Sequence, residues 1–326
     1  MFTEIYQINE SSLELSKKII LNGGAVAFPT ETVYGLGTNA FNTAAVENIF
    51  KIKGRPNDNP LIVHVHKDYD ILKLVNYVPE YAKKLAEAYL PGPLTMVYKS
   101  RGQVSSAVSC GLDTVAIRVP SHDGAQELLK FVDLPIAAPS ANISKHVSPV
   151  TAEHVLSDLN GKIEVILDGG KCSGGIESTV LDCTGEIPVI LRSGLITREM
   201  IKKIAGDCGE YIPVHGEKVR SPGMKYRHYS PNCKTMLFSF DEREKAVEEY
   251  KKTEKAYILC DNTTAKLIDV ERILRLGETE DEIASNLYLK LREGENKADV
   301  IIAIAPEKKG GVMAGVMNRL TKACKS

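Results

Sequence analysis

Three cations near residue 53 have the charge and spacing to bind a polyphosphate. Lys51 and Lys53 fall in the last turn of a predicted helix, and Arg55 follows that helix in the segment 54–60. An arginine can hold two phosphate oxygens at once, while a lysine acts as a point charge. The alternative is that these cations only complement the negative end of the helix dipole. The segment by itself favours neither interpretation.

Polar side chains recur where predicted apolar strands end. Hydroxyl, amide or arginine groups occur in the segments 29–35, 138–148, 177–179 and 191–194. Each segment alone is typical of an ordinary turn, but open α/β sheets bind ligands at strand ends. Together the four segments therefore predict that these polar groups surround one ligand-binding opening at the strand ends.

Arg118 lies inside an apolar strand predicted over residues 115–119. A charge in such a place needs compensation, because an unpaired buried charge is expensive. We therefore expect Arg118 to meet either a buried acidic partner or the carboxylate of a ligand.

The segment 221–231 joins the two halves of the chain and carries unusual chemistry. Residues 225–230 are all cationic, aromatic or hydroxyl-bearing, and prolines stand on either side of them. We interpret the segment as a lid over an anionic ligand. The alternative is a linker that follows the surface.

Common nucleotide, metal and nucleophile motifs are absent or weak. No GxxxxGK[ST] is present, and GxGxxA at Gly35, Gly37 and Ala40 predicts only a tight turn. His64 and His66 could form a metal pair on one strand, but no third ligand is near in sequence. We therefore predict no metal ligand among the protein side chains. No local Ser-His-Asp or reactive-cysteine pattern is found.

Composition restricts the class of protein. The 326 residues include 41 Lys and Arg and 42 Asp and Glu, a net charge of -1 that argues against a polybasic nucleic-acid binder. No apolar run is long enough to span a membrane, and no signal peptide is recognised. The seven cysteines are scattered without a CxxC pair. We expect a cytoplasmic protein without a disulfide framework.

The elements that must position these groups alternate between helix and strand. That alternation predicts an α/β fold with an open, twisted mixed sheet, followed by a smaller unit with a parallel sheet. The first helix is expected to begin at a capping box of Ser11 and Glu14. A glycine- and proline-rich passage and a rise in charge density separate the two parts. We predict domains at 1–207 and 234–326, joined by a linker or lid at 208–233.

Seven segments together resemble the YrdC/YwlC family of threonylcarbamoyl-AMP synthases in its two-domain form. They are PTETVYGLG (29–37), KxR (53–55), DTVAIRVP (113–120), SxN (140–142), GGIESTV (174–180), SPGMKYRHYSP (221–231) and GVMNRLTKA (315–323). The match spans nearly the whole chain in order. It implies a YrdC-like catalytic domain with a concave ligand face, and a Rossmann-like accessory domain.

The resemblance implies a nucleotidyltransferase reaction. L-threonine, bicarbonate or CO2, and ATP with Mg2+ would give L-threonylcarbamoyladenylate and pyrophosphate. The product would serve the threonylcarbamoyladenosine modification of tRNA beside the anticodon, through a separate transferase complex. A weak direct contact with tRNA is compatible with this role.

The resemblance also assigns roles to positions of this sequence. Residues that would surround threonine are Thr32, His64, Arg118, Ser140 and Ser178. Residues that would hold the nucleotide are Lys53, Arg55, Asn59, Thr114, Ser140, Asn142, Ser148, Arg192 and Tyr229. Lys53 and Arg55 would stabilise charge on the phosphates during the reaction. The chain departs from the family pattern at Lys145–His146 and at Ser193, which affects the loops around Ser148 and Arg192.

Two other functions stay open at this point. One is an RNA-binding module that uses a basic face without catalysis, although the near-zero net charge weakens it. The other is a carbamoyl-transfer domain of the hydrogenase-maturation type. That larger architecture carries acylphosphatase and zinc-finger segments, which this chain lacks.

Overall fold

The computed structural model describes residues 2–212 and 229–324, and two sheets organise them. The larger sheet has eleven strands among these residues, in the order β1-β8-β2-β3-β7-β4-β6-β5-β9-β10-β11. The strands are β1 (Glu4–Gln7), β2 (Val26–Phe28), β3 (Gly35–Asn39), β4 (Ile62–His64), β5 (Leu94–Lys99), β6 (Thr114–Arg118), β7 (Ile136–Ala138), β8 (Val165–Asp168), β9 (Thr179–Asp182), β10 (Val189–Arg192) and β11 (Gly209–Glu210). The sheet contains both parallel and antiparallel pairs, so the predicted mixed sheet is confirmed.

Seven α-helices accompany the larger sheet in the described part of the chain. They are α1 (Glu10–Leu21), α2 (Thr43–Lys53), α3 (Glu80–Tyr89), α4 (Ser106–Ser109), α5 (Asp123–Val132), α6 (Ala152–Leu159) and α7 (Arg198–Ala205), with a short 3-10 helix at Ile71–Lys73. Their apolar sides pack on the sheet in two buried clusters.

The smaller sheet is entirely parallel, in the order β12-β15-β13-β14. Its strands are β12 (Lys234–Phe238), β13 (Ala256–Cys260), β14 (Ile273–Arg275) and β15 (Val300–Ile304), and its helices are α8 (Arg243–Lys251), α9 (Asn262–Ala265), α10 (Glu280–Glu295) and α11 (Val312–Cys324). A 3-10 helix spans Phe240–Glu242. Strand β15 is buried along its whole length, as parallel sheets covered by helices require.

The two sheets share one apolar core. Ile176, beside the larger sheet, belongs to the same buried cluster as Leu287 of α10 and Val316 and Leu320 of α11. The helices of the second unit therefore pack against loops of the first. Residues 213–228, most of the predicted lid, lie outside the described residues.

Helix α2 delivers Lys53 to the middle of the larger sheet. The Asn42 side chain accepts a hydrogen bond from Ala45 N at the start of the helix. Gly54 ends it in the left-handed conformation, at a φ of 60°. The last turn thus places Lys53 inward, where its side chain is buried.

Three local predictions are wrong. Helix α1 is capped by Asn9 and Ser12, not by Ser11 and Glu14, because a residue at position 9 can reach the free N–H groups. The segment 35–39 is strand β3 and not a turn, since β2 and β7 pair with its two edges. Residues 209–210 form strand β11 at the edge of the larger sheet, although they were predicted as linker.

None of the seven cysteines, which all lie in the described ranges, forms a disulfide bond. None of the helices in the described ranges combines the length and the apolar character that crossing a bilayer requires.

Candidate active site

A cleft of about 740 Å3 opens against the central strands of the larger sheet. The predicted site residues that line it are Thr32, Lys53, Arg55, His64, Arg118, Ser140, Asn142, Ser178, Arg192 and Tyr229. They come from six strand ends or loops, the end of α2 and the passage into the second unit. The sheet topology therefore gathers segments that are up to about 200 residues apart.

Arg118, at the end of β6, has a buried acidic partner in Glu31. Arg118 Nη2 lies 2.9 Å from Glu31 Oε1, and the two side chains are 4% and 10% exposed. The Nε of Arg118 is also buried and finds no hydrogen-bond partner among residues 2–212 and 229–324. The guanidinium thus keeps donor capacity for a second anion inside the cleft.

His64 lies beside Arg118 and carries an uncharged ring. Its Nδ1 is 3.2 Å from the carbonyl oxygen of Ile62, and its ring meets Phe28 edge to face at 5.9 Å. Burial, together with the nearby Arg118, lowers the pKa of His64 to about 3. His64 therefore presents a neutral ring to the cleft at physiological pH.

A group of hydroxyls lies near Arg118. Thr30 Oγ1 and Thr32 Oγ1 are 2.9 Å apart, and Thr95 Oγ1 and Ser178 Oγ are 2.7 Å apart. Hydroxyls can both donate and accept, so this wall of the cleft suits a small ligand with its own hydroxyl and amine.

Lys53 is tied to the Ser140–Asn142 segment. Its Nζ donates to the carbonyl oxygens of both residues, and Asn142 Oδ1 is a more distant acceptor at 3.4 Å. Burial and the neighbouring Arg55 lower the pKa of Lys53 well below its usual range. An added anion in the cleft would offset both effects and favour the ammonium form.

Arg55 and Asn59 are hydrogen-bonded to each other on the α2 side of the cleft. Arg55 Nη2 donates to the carbonyl oxygen of Asn59 at 2.9 Å, and its guanidinium lies 5.7 Å from the Phe50 ring centre. Both side-chain amide atoms of Asn59 are buried and have no hydrogen-bond partner in the described part of the chain. Asn59 is not one of the residues that line the cleft.

Arg192 and Ser148 meet around Glu177. The Nε and Nη2 of Arg192 donate to the carbonyl oxygen of Ser178, at 3.1 and 2.9 Å. Ser148 Oγ donates to Glu177 Oε1 at 2.6 Å. Glu177 lines the cleft, and Ser148 does not. Burial alone would raise the pKa of Glu177, but Arg319 and Arg192 lower it to about 2.

Two candidates, Thr114 and His66, lie away from the cleft, and Asn59 and Ser148 are not among the residues that line it. Thr114 lines a separate small pocket with Leu61 and Val108. His66 lies beyond β4 and contacts Asp133 at 3.3 Å, so it does not pair with His64. The cations of the predicted lid, residues 225–228, lie outside the described residues. Within the ranges that are described, no group of three or more His, Cys, Asp or Glu side chains could hold a metal.

Four residues of the site were missed by sequence reasoning. Glu31 and Glu177 stand inside the quoted motifs, but nothing local distinguishes them from surface acids. Arg319 is fully buried on α11, and an arginine among the apolar positions of that helix was a usable signal. Tyr288 of α10 gives no such signal.

Two protein-family models match nearly the whole chain, one after the other. A family model described as "Telomere recombination" matches residues 18–194, and one described as "Threonylcarbamoyl-AMP synthase, C-terminal domain" matches residues 196–324. Threonylcarbamoyl-AMP synthase of Pyrococcus abyssi is 42% identical over 327 residues, which cover 97% of this chain and 95% of the relative. The chain belongs to the threonylcarbamoyl-AMP synthase family.

Other members of the threonylcarbamoyl-AMP synthase family agree. The Bacillus subtilis enzyme is 41% identical over 337 residues, covering 98% of this chain and 95% of the relative. The crystal structure of P. abyssi Sua5 complexed with L-threonine superposes with a TM-score of 0.90 at 40% identity, over 99% of this chain and 98% of that one. The predicted family, its two-domain form and the α/β fold are thus confirmed.

Proposed function

We propose that this protein joins L-threonine, bicarbonate or CO2, and ATP into L-threonylcarbamoyladenylate and releases pyrophosphate. The observation that carries the proposal is the charge layout of the cleft. Arg118 retains a buried free donor at one end, and the cations Lys53, Arg55 and Arg192 line the remainder. That layout fits one amino-acid carboxylate and one triphosphate. Membership of the threonylcarbamoyl-AMP synthase family supports it.

Threonine would bind at the Arg118 end. Its carboxylate would take the free donors of Arg118, which form charge-assisted hydrogen bonds. Its side-chain hydroxyl would meet Thr32 and Ser178, with Ser140 and the neutral His64 completing the wall. A site built to bind a hydroxyl discriminates strongly against an analogue that lacks it, because its own polar groups would be left unpaired.

The nucleotide would occupy the cationic remainder of the cleft. Lys53 and Arg55 would bind the phosphates, and Arg192 and Asn142 would flank them. Asn59, Ser148 and Tyr229 would support this half, and Thr114 would contribute only if the nucleotide reached its separate pocket. Mg2+ would arrive with ATP, held by the phosphate oxygens.

The chemistry then requires two bond-forming steps. Bicarbonate would supply CO2 by taking up a proton and losing water. The threonine ammonium loses one proton to solvent, the neutral amine attacks the carbon of CO2 to form a C–N bond, and the nitrogen then loses a second proton to give a carbamate. A carbamate oxygen attacks the α-phosphorus, and the bond from that phosphorus to pyrophosphate breaks. Lys53 and Arg55 would offset the charge that builds on the phosphates. The protein's main contribution would be to align the reactants.

The product fits a role in tRNA modification. An acyl-adenylate type anhydride is an activated donor, so a second enzyme must accept the threonylcarbamoyl group and pass it to tRNA. Direct tRNA contact and a cytoplasmic location stay predictions.

Pyrophosphate release tests the proposal. The purified protein would be given ATP, Mg2+ and bicarbonate with threonine, serine, alanine or valine in turn. Threonine should give at least tenfold more release than the others, since serine lacks the methyl and valine the hydroxyl. Equal release with all four amino acids would overturn the proposal. Salt-sensitive tRNA binding that the Lys53→Ala variant retains, without any turnover, would instead favour an RNA-binding module.

A further inference from the structure

Two helices of the C-terminal unit touch the cleft's supporting turns almost backbone to backbone. A Cβ on Gly175, whose φ is +70°, would lie 2.4 Å from Ser285 Cα of α10. A Cβ on Gly315 of α11 would lie 3.2 Å from Gly194 Cα. A side chain at position 175 would therefore clash with the backbone of α10. The lack of a side chain at Gly315 lets α11 approach the backbone of Gly194 closely. The segment 174–178 carries Ser178, and the segment 191–194 carries Arg192. The C-terminal unit therefore packs against the backbone that holds each of these two residues.

Arg319 of α11 bonds to both turns at once. Its side chain has no solvent exposure. Its Nε donates to Glu177 Oε2 at 3.1 Å and its Nη2 to the Glu177 carbonyl oxygen at 3.2 Å. Its Nη1 donates to the carbonyl oxygen of Ser193 and, at 3.3 Å, to that of Gly315. One guanidinium thus fixes the distance between the residue before Ser178 and the residue after Arg192.

Tyr288 of α10 completes the coordination of Glu177. Its hydroxyl donates to Glu177 Oε2 at 2.9 Å, while Glu177 Oε1 accepts from Ser148. The Tyr288 ring also stacks on Tyr229, with centroids 5.3 Å apart and planes 29° apart. The two oxygens of Glu177 are therefore oriented, one by the C-terminal unit and one by the nucleotide side of the cleft.

We infer that Arg319 and Tyr288 are positioning residues for the cleft, acting through Glu177 on Ser148, Ser178 and Arg192. The inference rests on the proposed function, which gives those three residues their ligands. Glu177 lines a cleft that must accept a polyanion, and an uncompensated carboxylate there would repel it. Arg319 supplies the compensating charge from outside the cleft. The C-terminal unit thereby completes the binding site without contacting substrate.

Kinetics of three variants test the inference: Tyr288→Phe, Arg319→Gln and Glu177→Gln. The KM for ATP, the KM for threonine and kcat would be measured on the folded fraction, after folding is checked by circular dichroism and thermal unfolding. Tyr288→Phe keeps the ring stack and should raise the KM for ATP by about fivefold, less than the tenfold or more expected when a hydrogen bond to a charged group is lost at the substrate itself, because Tyr288 acts indirectly. Arg319→Gln should raise it by at least tenfold.

A double variant separates action through Glu177 from independent effects. If Arg319 acts through Glu177, the KM for ATP of the Glu177→Gln/Arg319→Gln double variant should not exceed that of the worse single variant. Independent contributions would instead multiply. Tyr250→Phe is the matched control, because Tyr250 is a buried tyrosine of the same unit whose hydroxyl meets only the Arg272 backbone N–H among the described groups. It should leave both KM values within twofold.

A purely structural role predicts a different pattern. In that case the variants would lower the unfolding temperature or the active fraction, and the KM values of the remaining enzyme would equal those of the wild type. That pattern, or multiplicative effects in the double variant, would overturn the inference. Wild-type protein without threonine-dependent pyrophosphate release would instead overturn the proposed function, so the two failures are distinguishable.

Discussion

Arg118 and Glu31 form a buried ion pair at one end of the cleft, with Nη2 and Oε1 2.9 Å apart. The pair supplies the buried acidic partner that the sequence led us to expect for Arg118, since a cation inside an apolar strand must be compensated. One carboxylate does not use all five N–H donors of a guanidinium. Glu31 therefore holds Arg118 in place while leaving it able to bind a substrate carboxylate.

Arg118→Met is expected to act selectively on threonine. Loss of a charge-assisted hydrogen bond costs roughly 1.5–3 kcal/mol, which corresponds to an increase in the KM for threonine of about tenfold or more. The KM for ATP should change by less than twofold, because the proposed phosphate-binding cations lie in the remainder of the cleft. Steady-state pyrophosphate release with each substrate varied in turn measures both. Equal increases in the two KM values would contradict the placement of threonine at Arg118.

Glu31→Gln should make the protein's stability depend more strongly on threonine. Without the Glu31 charge, Arg118 is buried and uncompensated, and breaking such a pair typically costs about 3 kcal/mol. The threonine carboxylate would then supply the missing charge. Thermal unfolding with and without threonine should show a larger stabilisation by threonine in the variant than in the wild type. Glu127→Gln, an exposed acid on α5, is the control and should behave like the wild type.

Arg55→Ala should lower kcat/KM for ATP by well over tenfold. The reason is the loss of a forked, charge-assisted phosphate contact, worth roughly 1.5–3 kcal/mol. Arg101→Ala removes an exposed arginine outside the cleft and should leave the value within twofold. A folded Arg55→Ala variant with wild-type kinetics would remove Arg55 from the site.

His146 should make the free energy of unfolding fall at alkaline pH. It lies between two carboxylates, with Nδ1 2.9 Å from Asp158 and Nε2 2.8 Å from Glu295, and Arg292 faces the same group. Burial lowers the pKa of His146, but the hydrogen bonds to Asp158 and Glu295 raise it overall from 6.5 to about 9. A raised pKa means that the stabilisation is complete below about pH 6.5 and is lost as the pH rises through about 9.

Urea denaturation at pH 6.5 and pH 9.5 measures this effect. Between the two pH values, the free energy of unfolding of the wild-type protein should fall by on the order of 2 kcal/mol more than that of the His146→Gln variant. Parallel losses in both proteins would show that other groups cause the pH dependence. The network joins α6 to α10, so its weakening loosens the two units from each other.

Much of the site could be predicted from local pattern. Asn42 and Gly54 bound α2 and place Lys53 in its last turn, whereas the inward direction of the Lys53 side chain is seen only in the structure. Hydroxyls and amides at 140–142 follow an apolar strand, and they do line the cleft. Caps and apolar periodicity are properties of a few neighbouring residues, so they can be read without the fold. The alternation of helices and strands predicted both sheets for the same reason.

Weak local signals failed where pairing decides the structure. The glycine-rich segment 35–39 has no strand-like pattern, and it becomes β3 only because β2 and β7 flank it. The two-residue strand β11 exists only because β10 offers it an edge. Such short strands are stabilised by their partners and hardly at all by their own sequence.

By itself the sequence determined which residue types stand at the strand ends, where α2 begins and ends, and that two α/β units follow one another. Only the tertiary structure decided the partner of each buried charge. Glu31 could have met any cation, and Arg319 any acid, until the topology placed them beside Arg118 and Glu177. Ion pairs of this kind join residues far apart in the chain, and their energies depend on distance and burial. Neither quantity exists before the sheets are assembled.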